Sequence, residues 1–151
     1  MKSLKTLGLV MVMALALGLG AGCSKKTDMQ TSISTEDPAA ALNAAEQTIT
    51  DGIVYFDYDK YDVKSEYTGM LQQKAELMKA YPDIRVRIEG NCDERGTQEY
   101  NLALGARRAR AVYDYMVMLG VNPDQLEMIS YGKEKPAVQG TGESVWAQHR
   151  Q

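Results

Sequence analysis

The stretch Glu89–Val112, EGNCDERGTQEYNLALGARRARAV, holds the densest polar chemistry of the sequence. Asn91-Cys92-Asp93-Glu94-Arg95-Gly96-Thr97 brings donors, acceptors and both signs of charge into one loop, and a helix pattern follows it. On that helix Asn101, Leu104 and Arg108 stand three and four residues apart and share one face, read as the side away from the apolar stripe. The long Arg108 side chain can lean back toward the helix start, where the loop places Asp93. An acid and an arginine then face one small cavity, beside the free N–H groups of the helix start. Asp93 could accept an ammonium and Arg108 could grip a carboxylate in a two-bond fork. Together they complement a zwitterion, the head of an amino acid. The spacing equally allows Asp93 and Arg108 simply to pair, or Arg108 to be a solvated helix residue. Arg107 reads as an exposed partner of an acidic side chain.

Other chemistries are poorly supplied. The Asp93-Glu94 pair suggests acid/base catalysis, but neither a nucleophile with its base nor a metal-ligating set accompanies it. We therefore expect no catalytic residue, no metal, no cofactor and no enzymatic activity. Two cysteines and a single histidine, His149, argue against a disulfide framework or a zinc site. Cys92, a lone thiol beside two acids, reads as loop packing and not as an activated thiolate.

The elements that must position the loop follow from periodicity. Ile53–Phe56 is a short β-prone run ended by Asp57-Tyr58-Asp59-Lys60. Between Val63 and Tyr81, the residues Tyr67, Met70, Leu71, Leu77, Met78 and Tyr81 lie on one helical face, and Pro82 stops the helix. Ile84–Glu89 alternates strictly, as a half-buried strand does, with Ile84, Val86 and Ile88 inward. The second helix spans about Gln98 to Leu119, with Leu102, Ala106, Ala109, Val112, Tyr113 and Met116 as its apolar stripe. Leu126–Tyr131 is a third strand, and a final helical piece lies around Ser144 to Arg150. Alternating strands and helices predict a two-layer α/β sheet with helices on one face.

The N-terminus has a different character. Lys2 and Lys5 precede an apolar run of about fifteen residues that ends in small residues, the pattern of a secretory signal. Leu19-Gly20-Ala21-Gly22-Cys23 resembles a bacterial lipobox, in which the cysteine is diacylated and becomes the new N-terminus; Gly20 departs from the leucine usual there. Ser24, where no acid stands, favours the outer membrane by resemblance to Gram-negative sorting. From Ser24 to about Thr50 the composition is that of a flexible tether, with a short helix across Pro38 to Thr48. The expected organisation is a signal peptide over 1–22, a lipid-anchored tether over 23–50 and a folded domain over 51–151. The chain has 17 basic residues; without Lys2 and Lys5 it carries 15 against 20 acidic ones. This acidic balance argues against nucleic acid as a partner, because phosphate binding needs a basic face.

Five segments carry a family resemblance: Val54–Asp62, Glu89–Thr97, Glu99–Asn101, Leu104–Ala109 and Ser130–Val138. In register over Gly52 to Val138, they resemble the peptidoglycan-associated lipoproteins, a branch of the OmpA-like domain family. The resemblance implies a β-α-β-α-β sandwich with a mixed sheet. It also implies a ligand, the diaminopimelate-bearing stem peptide of peptidoglycan, whose zwitterionic end is held by Asp93 and Arg108. Further contacts carry over to Tyr58, Asp59, Arg95, Thr97, Asn101 and Leu104. For Tyr58 and Asp59 a turn role competes with contact, and for Asn101 a bracing role does. The implied whole is a non-covalent tether between the outer membrane, through acylated Cys23, and the cell wall, with the domain in the periplasm. TolB and other Tol proteins are the implied partners. A lipoprotein adaptor that binds a protein and not the wall is the alternative. Where the family carries an Asn-Arg-Arg run and a last strand inside the sheet, this sequence ends at His149-Arg150-Gln151. Without that strand, Ile53–Phe56 is expected to be poorly paired.

Overall fold

The computed structural model of the chain describes residues 37–151. The expected signal peptide, Cys23 and the tether before Asp37 lie outside the described residues. The first element is α1, Pro38–Thr50; Asp37 caps it by accepting the Ala39 N–H at 3.0 Å, and Pro38 opens its first turn. Its Ala45 and Ile49 are buried, and Ile49 belongs to the main core. Among the described residues, packed structure thus includes Pro38–Thr50, ahead of the domain start expected at residue 51. The short helix expected across Pro38 to Thr48 is present, and it packs through Ala45 and Ile49.

A 3-10 turn, Ser65–Tyr67, leads into α2, Thr68–Ala80, which buries Leu71, Ala75 and Met78. These three meet Ile49, Met116 and Val121 in the core. Gln125, itself buried, turns its side-chain amide to the carbonyls of Met78 in the last turn of α2 and of Tyr81 and Ile84 beyond it, fastening the segment that leads from α2 to the sheet.

The sheet comprises β1, Val86–Asn91, and β2, Leu126–Gly132. They pair in parallel, Val86 opposite Leu126 through Gly90 opposite Ser130, then shift so that Asn91 faces Gly132. A parallel pair needs a crossover, supplied here by α3, Gln98–Met118. A last helix, α4, Glu143–His149, ends the described elements. The fold is thus an α/β layer of helices on a small sheet. The sheet is parallel where a mixed one was expected, because Ile53–Phe56 joins neither strand. Among its backbone groups, Phe56 N–H donates to Arg150 O at 2.9 Å, so the C-terminal residues stand between this run and β1.

Two glycines set how α3 lies on the sheet. A Cβ on Gly90 would sit 1.9 Å from the Gly105 carbonyl oxygen, and one on Gly105 would sit 2.3 Å from Ser130 Oγ. Ser130 in turn donates to Leu102 O at 2.8 Å. Helix and sheet therefore touch backbone to backbone. The buried residues of α3 are Asn101, Leu104, Gly105, Arg108, Ala109 and Met116. Leu102 and Ala106, placed on the apolar stripe from sequence, face outward. Ala109 and Met116 of the expected stripe are buried and Val112 packs against the core, but toward the helix start the inward face shifts to Asn101, Leu104, Gly105 and Arg108, two of them polar.

Gly90→Ala is expected to lower the unfolding free energy by about 3 kcal/mol, since backbone and not a movable side chain blocks the new methyl. Urea denaturation followed by circular dichroism measures it.

Candidate ligand-binding site

The close approach at Gly90 and Gly105 brings the start of α3 over the end of β1, and the loop Cys92–Thr97 closes between them. Thr97 Oγ caps α3 by accepting the Tyr100 N–H at 3.2 Å. Asn101 Nδ2 reaches back to Arg95 O at 2.8 Å, tying the loop to the helix. The loop is also held from outside. Lys133 donates to Gly96 O at 2.8 Å, and Trp146 Nε1 donates to Glu94 Oε1 at 2.9 Å.

A cavity of about 140 Å³ opens here, lined by Tyr58, Asp59, Cys92, Asp93, Arg95, Gly96, Tyr100, Asn101, Leu104 and Arg108. Seven of the eight residues expected at the site meet around it. Thr97 is absent from its wall and serves as the helix cap.

The acid and the helix arginine do not pair. Asp93 is buried and is forked by Arg95, Nε to Oδ1 at 3.1 Å and Nη2 to Oδ2 at 2.6 Å. Arg150, also buried, adds a contact from Nη1 at 3.3 Å. Arg108 is 1% exposed, and its donors go to backbone carbonyls: Nε to Lys60 O at 2.9 Å, Nη1 to Asn91 O at 2.7 Å and Nη2 to Asp57 O at 3.3 Å. A second Nη1 contact goes to Cys92 Sγ at 3.4 Å. Of the five N–H donors of a guanidinium, one on Nη2 is left. The expected two-bond fork from Arg108 is thus not available as the side chain lies. What it offers is one charge-assisted donor and a buried positive charge with no ion-pair partner among the described residues.

Such a charge is costly unless something neutralises it. Burial lowers the Arg108 pKa from its ordinary value, although a guanidinium remains protonated. Burial pushes the Cys92 thiol up, which keeps it an inert neutral group. Burial also pushes the Asp93 carboxyl up, but the hydrogen bonds from Arg95 and Arg150 outweigh it and hold the carboxyl below the usual range.

At the outer rim, Arg95 lies over the Tyr58 ring at 4.1 Å and over the Trp146 ring at 4.4 Å, and Nη1 approaches Glu143 at 3.4 Å. Asp59 adopts φ 56°, a left-handed conformation that aims its carboxylate at the Tyr100 hydroxyl, which donates to it. Arg150, Trp146 and Tyr100 were not expected at the site. Arg150 stands in the His149-Arg150-Gln151 stretch where the family carries an Asn-Arg-Arg run, a signal that could have flagged it, whereas Trp146 has no period or motif that could have done so. Tyr100 reads in sequence as an aromatic of the core or rim. Among the described residues, no group of three or more His, Cys, Asp and Glu is placed to hold a metal ion.

A depressed folded-state carboxyl stabilises the protein above its unfolded pKa, and that contribution is lost as pH falls through the folded value. Asp93→Asn should therefore be less stable than the parent at pH 7, and the gap should narrow as pH falls below about 4. Urea titrations of both proteins across this range would show it.

Comparison with known proteins agrees with this architecture. The OmpA family model matches residues 55–150. The chain is 49% identical over 114 residues to the peptidoglycan-associated lipoprotein of Pseudomonas putida, covering 76% of this chain and 67% of that one. It is 50% identical over 97 residues to the protein of the same name from Haemophilus influenzae, covering 64% of this chain and 63% of that one. The chain thus spans about two thirds of the length of these relatives. The crystal structure of the peptidoglycan-associated lipoprotein from Burkholderia pseudomallei superposes with a TM-score of 0.64 at 52% identity, over 64% of this chain and 82% of that one. On the family match and these identities, the chain belongs to the OmpA family.

Proposed function

We propose that this protein is a peptidoglycan-binding lipoprotein that ties the outer membrane to the cell wall without covalent chemistry. The observation that carries the reading is the buried, unneutralised Arg108 on the wall of a small cavity that also presents Asp93 and Asp59. A carboxylate beside Arg108 supplies the missing countercharge. An ammonium in the same ligand finds Asp59, or finds Asp93 in exchange for part of the Arg95 fork. A zwitterion satisfies both poles at once. The free end of diaminopimelate in a peptidoglycan stem peptide is such a group, and the names of the similar proteins point to the same polymer. Leu104 gives the cavity an apolar wall for the methylene stem, and Tyr58 closes the rim. Binding of this kind breaks no bond, so the reading includes no catalysis.

The remaining parts of the proposal rest on sequence. Residues 1–22 direct export, acylated Cys23 sits in the outer membrane, and the chain before α1 spans the distance to the periplasmic domain. Partnership with TolB and the other Tol proteins extends the same reading through the family resemblance. Mass spectrometry of the mature N-terminus tests the anchor; a Cys23 without acyl chains ends that part.

Lysine differs from diaminopimelate by lacking the distal carboxylate. Sacculi with diaminopimelate in the stem peptide should therefore retain the protein, and sacculi with lysine should retain at least tenfold less. Free diaminopimelate should compete. Arg108→Ala and Asp93→Ala should each lose retention, with circular dichroism checking that the variants fold. Equal retention on both kinds of sacculi sinks the proposed ligand. New muropeptide products after incubation would overturn the binding-only reading.

A further inference from the structure

Two acids and two arginines close a ring of charge at the rim of the polar cavity. Asp93 Oδ2 accepts from Arg95 Nη2 at 2.6 Å and from Arg150 Nη1 at 3.3 Å. Glu143 accepts from Arg150 Nη2 at 2.7 Å and stands 3.4 Å from Arg95 Nη1. The two arginines are not equally free. Arg150 is buried and also donates to Phe56 O at 3.1 Å. The Arg95 side chain is 29% exposed, and beyond the two acids it rests on the Tyr58 and Trp146 rings. The acids differ as well, since the Asp93 carboxylate is buried and that of Glu143 is exposed.

A ligand ammonium that enters the cavity finds both Asp93 oxygens covered by Arg95. A planar guanidinium keeps its contact with an aromatic face while it turns in its own plane. Such a turn takes Arg95 off Asp93 and closes its approach to Glu143. No charge is then left unpaired: Asp93 gains the ammonium and keeps Arg150, and Arg95 gains Glu143. Glu143 and Trp146 stand three residues apart on α4 and so share one face. The indole is pinned by its Nε1 bond to Glu94. Neither residue lines the cavity.

We infer that Arg95 is an internal stand-in for the ammonium of the ligand, and that Glu143 and Trp146 are positioning residues that receive it when the ligand takes Asp93. The inference rests on the wall-binding reading and adds the regulation of that site. It reverses the role that the family resemblance implies for Arg95, from ligand contact to competitor. Apparent affinity falls by the fraction of molecules in which Asp93 is covered, so α4 sets the affinity from outside the cavity. The backbone ties of residue 95, its N–H to Asp93 Oδ1 at 3.2 Å and its carbonyl to Asn101, do not use the guanidinium. Arg95→Met therefore keeps the loop.

The test is a double-mutant cycle, read as retention of the full chain on sacculi that contain diaminopimelate. Arg95→Met should raise retention about threefold or more, and Glu143→Gln should lower it by a similar factor. In the Arg95→Met background, Glu143→Gln should change nothing. Weaker retention of Arg95→Met, or an equal effect of Glu143→Gln in both backgrounds, overturns the inference and leaves the wall reading standing. A parent that is not retained at all sinks the wall reading, and the inference with it. Trp146 is the single tryptophan of the sequence and gives a second readout on the parent itself. Its fluorescence should change as free diaminopimelate is titrated into the parent, and should stay constant in Arg95→Met. A flat titration of a parent that sacculi retain also overturns the inference.

Discussion

One guanidinium holds the architecture together at its polar end. Arg108 gathers the carbonyls of Asp57, Lys60 and Asn91, so the loop after Ile53–Phe56 and the end of β1 are both fastened to α3. The Asp57 carbonyl also accepts the Lys60 N–H at 3.1 Å, and an unmade buried hydrogen bond costs about 1–3 kcal/mol. The arginine is thus a structural clasp and a charge reserve at once. Most of its donors are spent on backbone, while its charge is left without a countercharge. Asp93 has the opposite situation, with two arginines for one carboxylate. The two poles that a zwitterion needs are kept apart because each is satisfied differently.

The polar loop itself has little apolar surface to fix it. Its shape comes from the outside, through Lys133 on Gly96 O, Trp146 on Glu94 and Arg95 stacked over Tyr58 and Trp146. Residues distant in sequence therefore decide how open the cavity is. The backbone contact of Gly90 with Gly105 decides where it is.

Much of this architecture is legible in the sequence. The alternation of Ile84, Val86 and Ile88 marked a strand, and Pro82 marked the end of α2, because each is a local backbone property. Asn101, Leu104 and Arg108 do share a face, as their spacing required. That this face points inward was not legible, because burial of Asn101 and Arg108 depends on carbonyls supplied by other segments. The pairing of Asp93 with Arg95 and Arg150 was hidden for a related reason: nothing local distinguishes which of several arginines a buried acid will meet. The helix over Pro38–Thr50 was legible, but its packing was not, because its apolar face is weak and only contact with other elements buries Ala45 and Ile49.

The junction between α1 and α2 has a mechanical side. Lys74 Nζ donates to Ile49 O at 2.7 Å and to Gly52 O at 3.4 Å, and it also bonds Asp51 O, gathering carbonyls from the end of α1 and the two residues just past it on one ammonium. Any tension on the chain before Asp37 enters the domain through α1. It meets the small apolar contact of Ala45 and Ile49 first and this ammonium clamp last. Under load, α1 would peel away turn by turn before force reached the sheet, lengthening the connection while the polar cavity kept its shape.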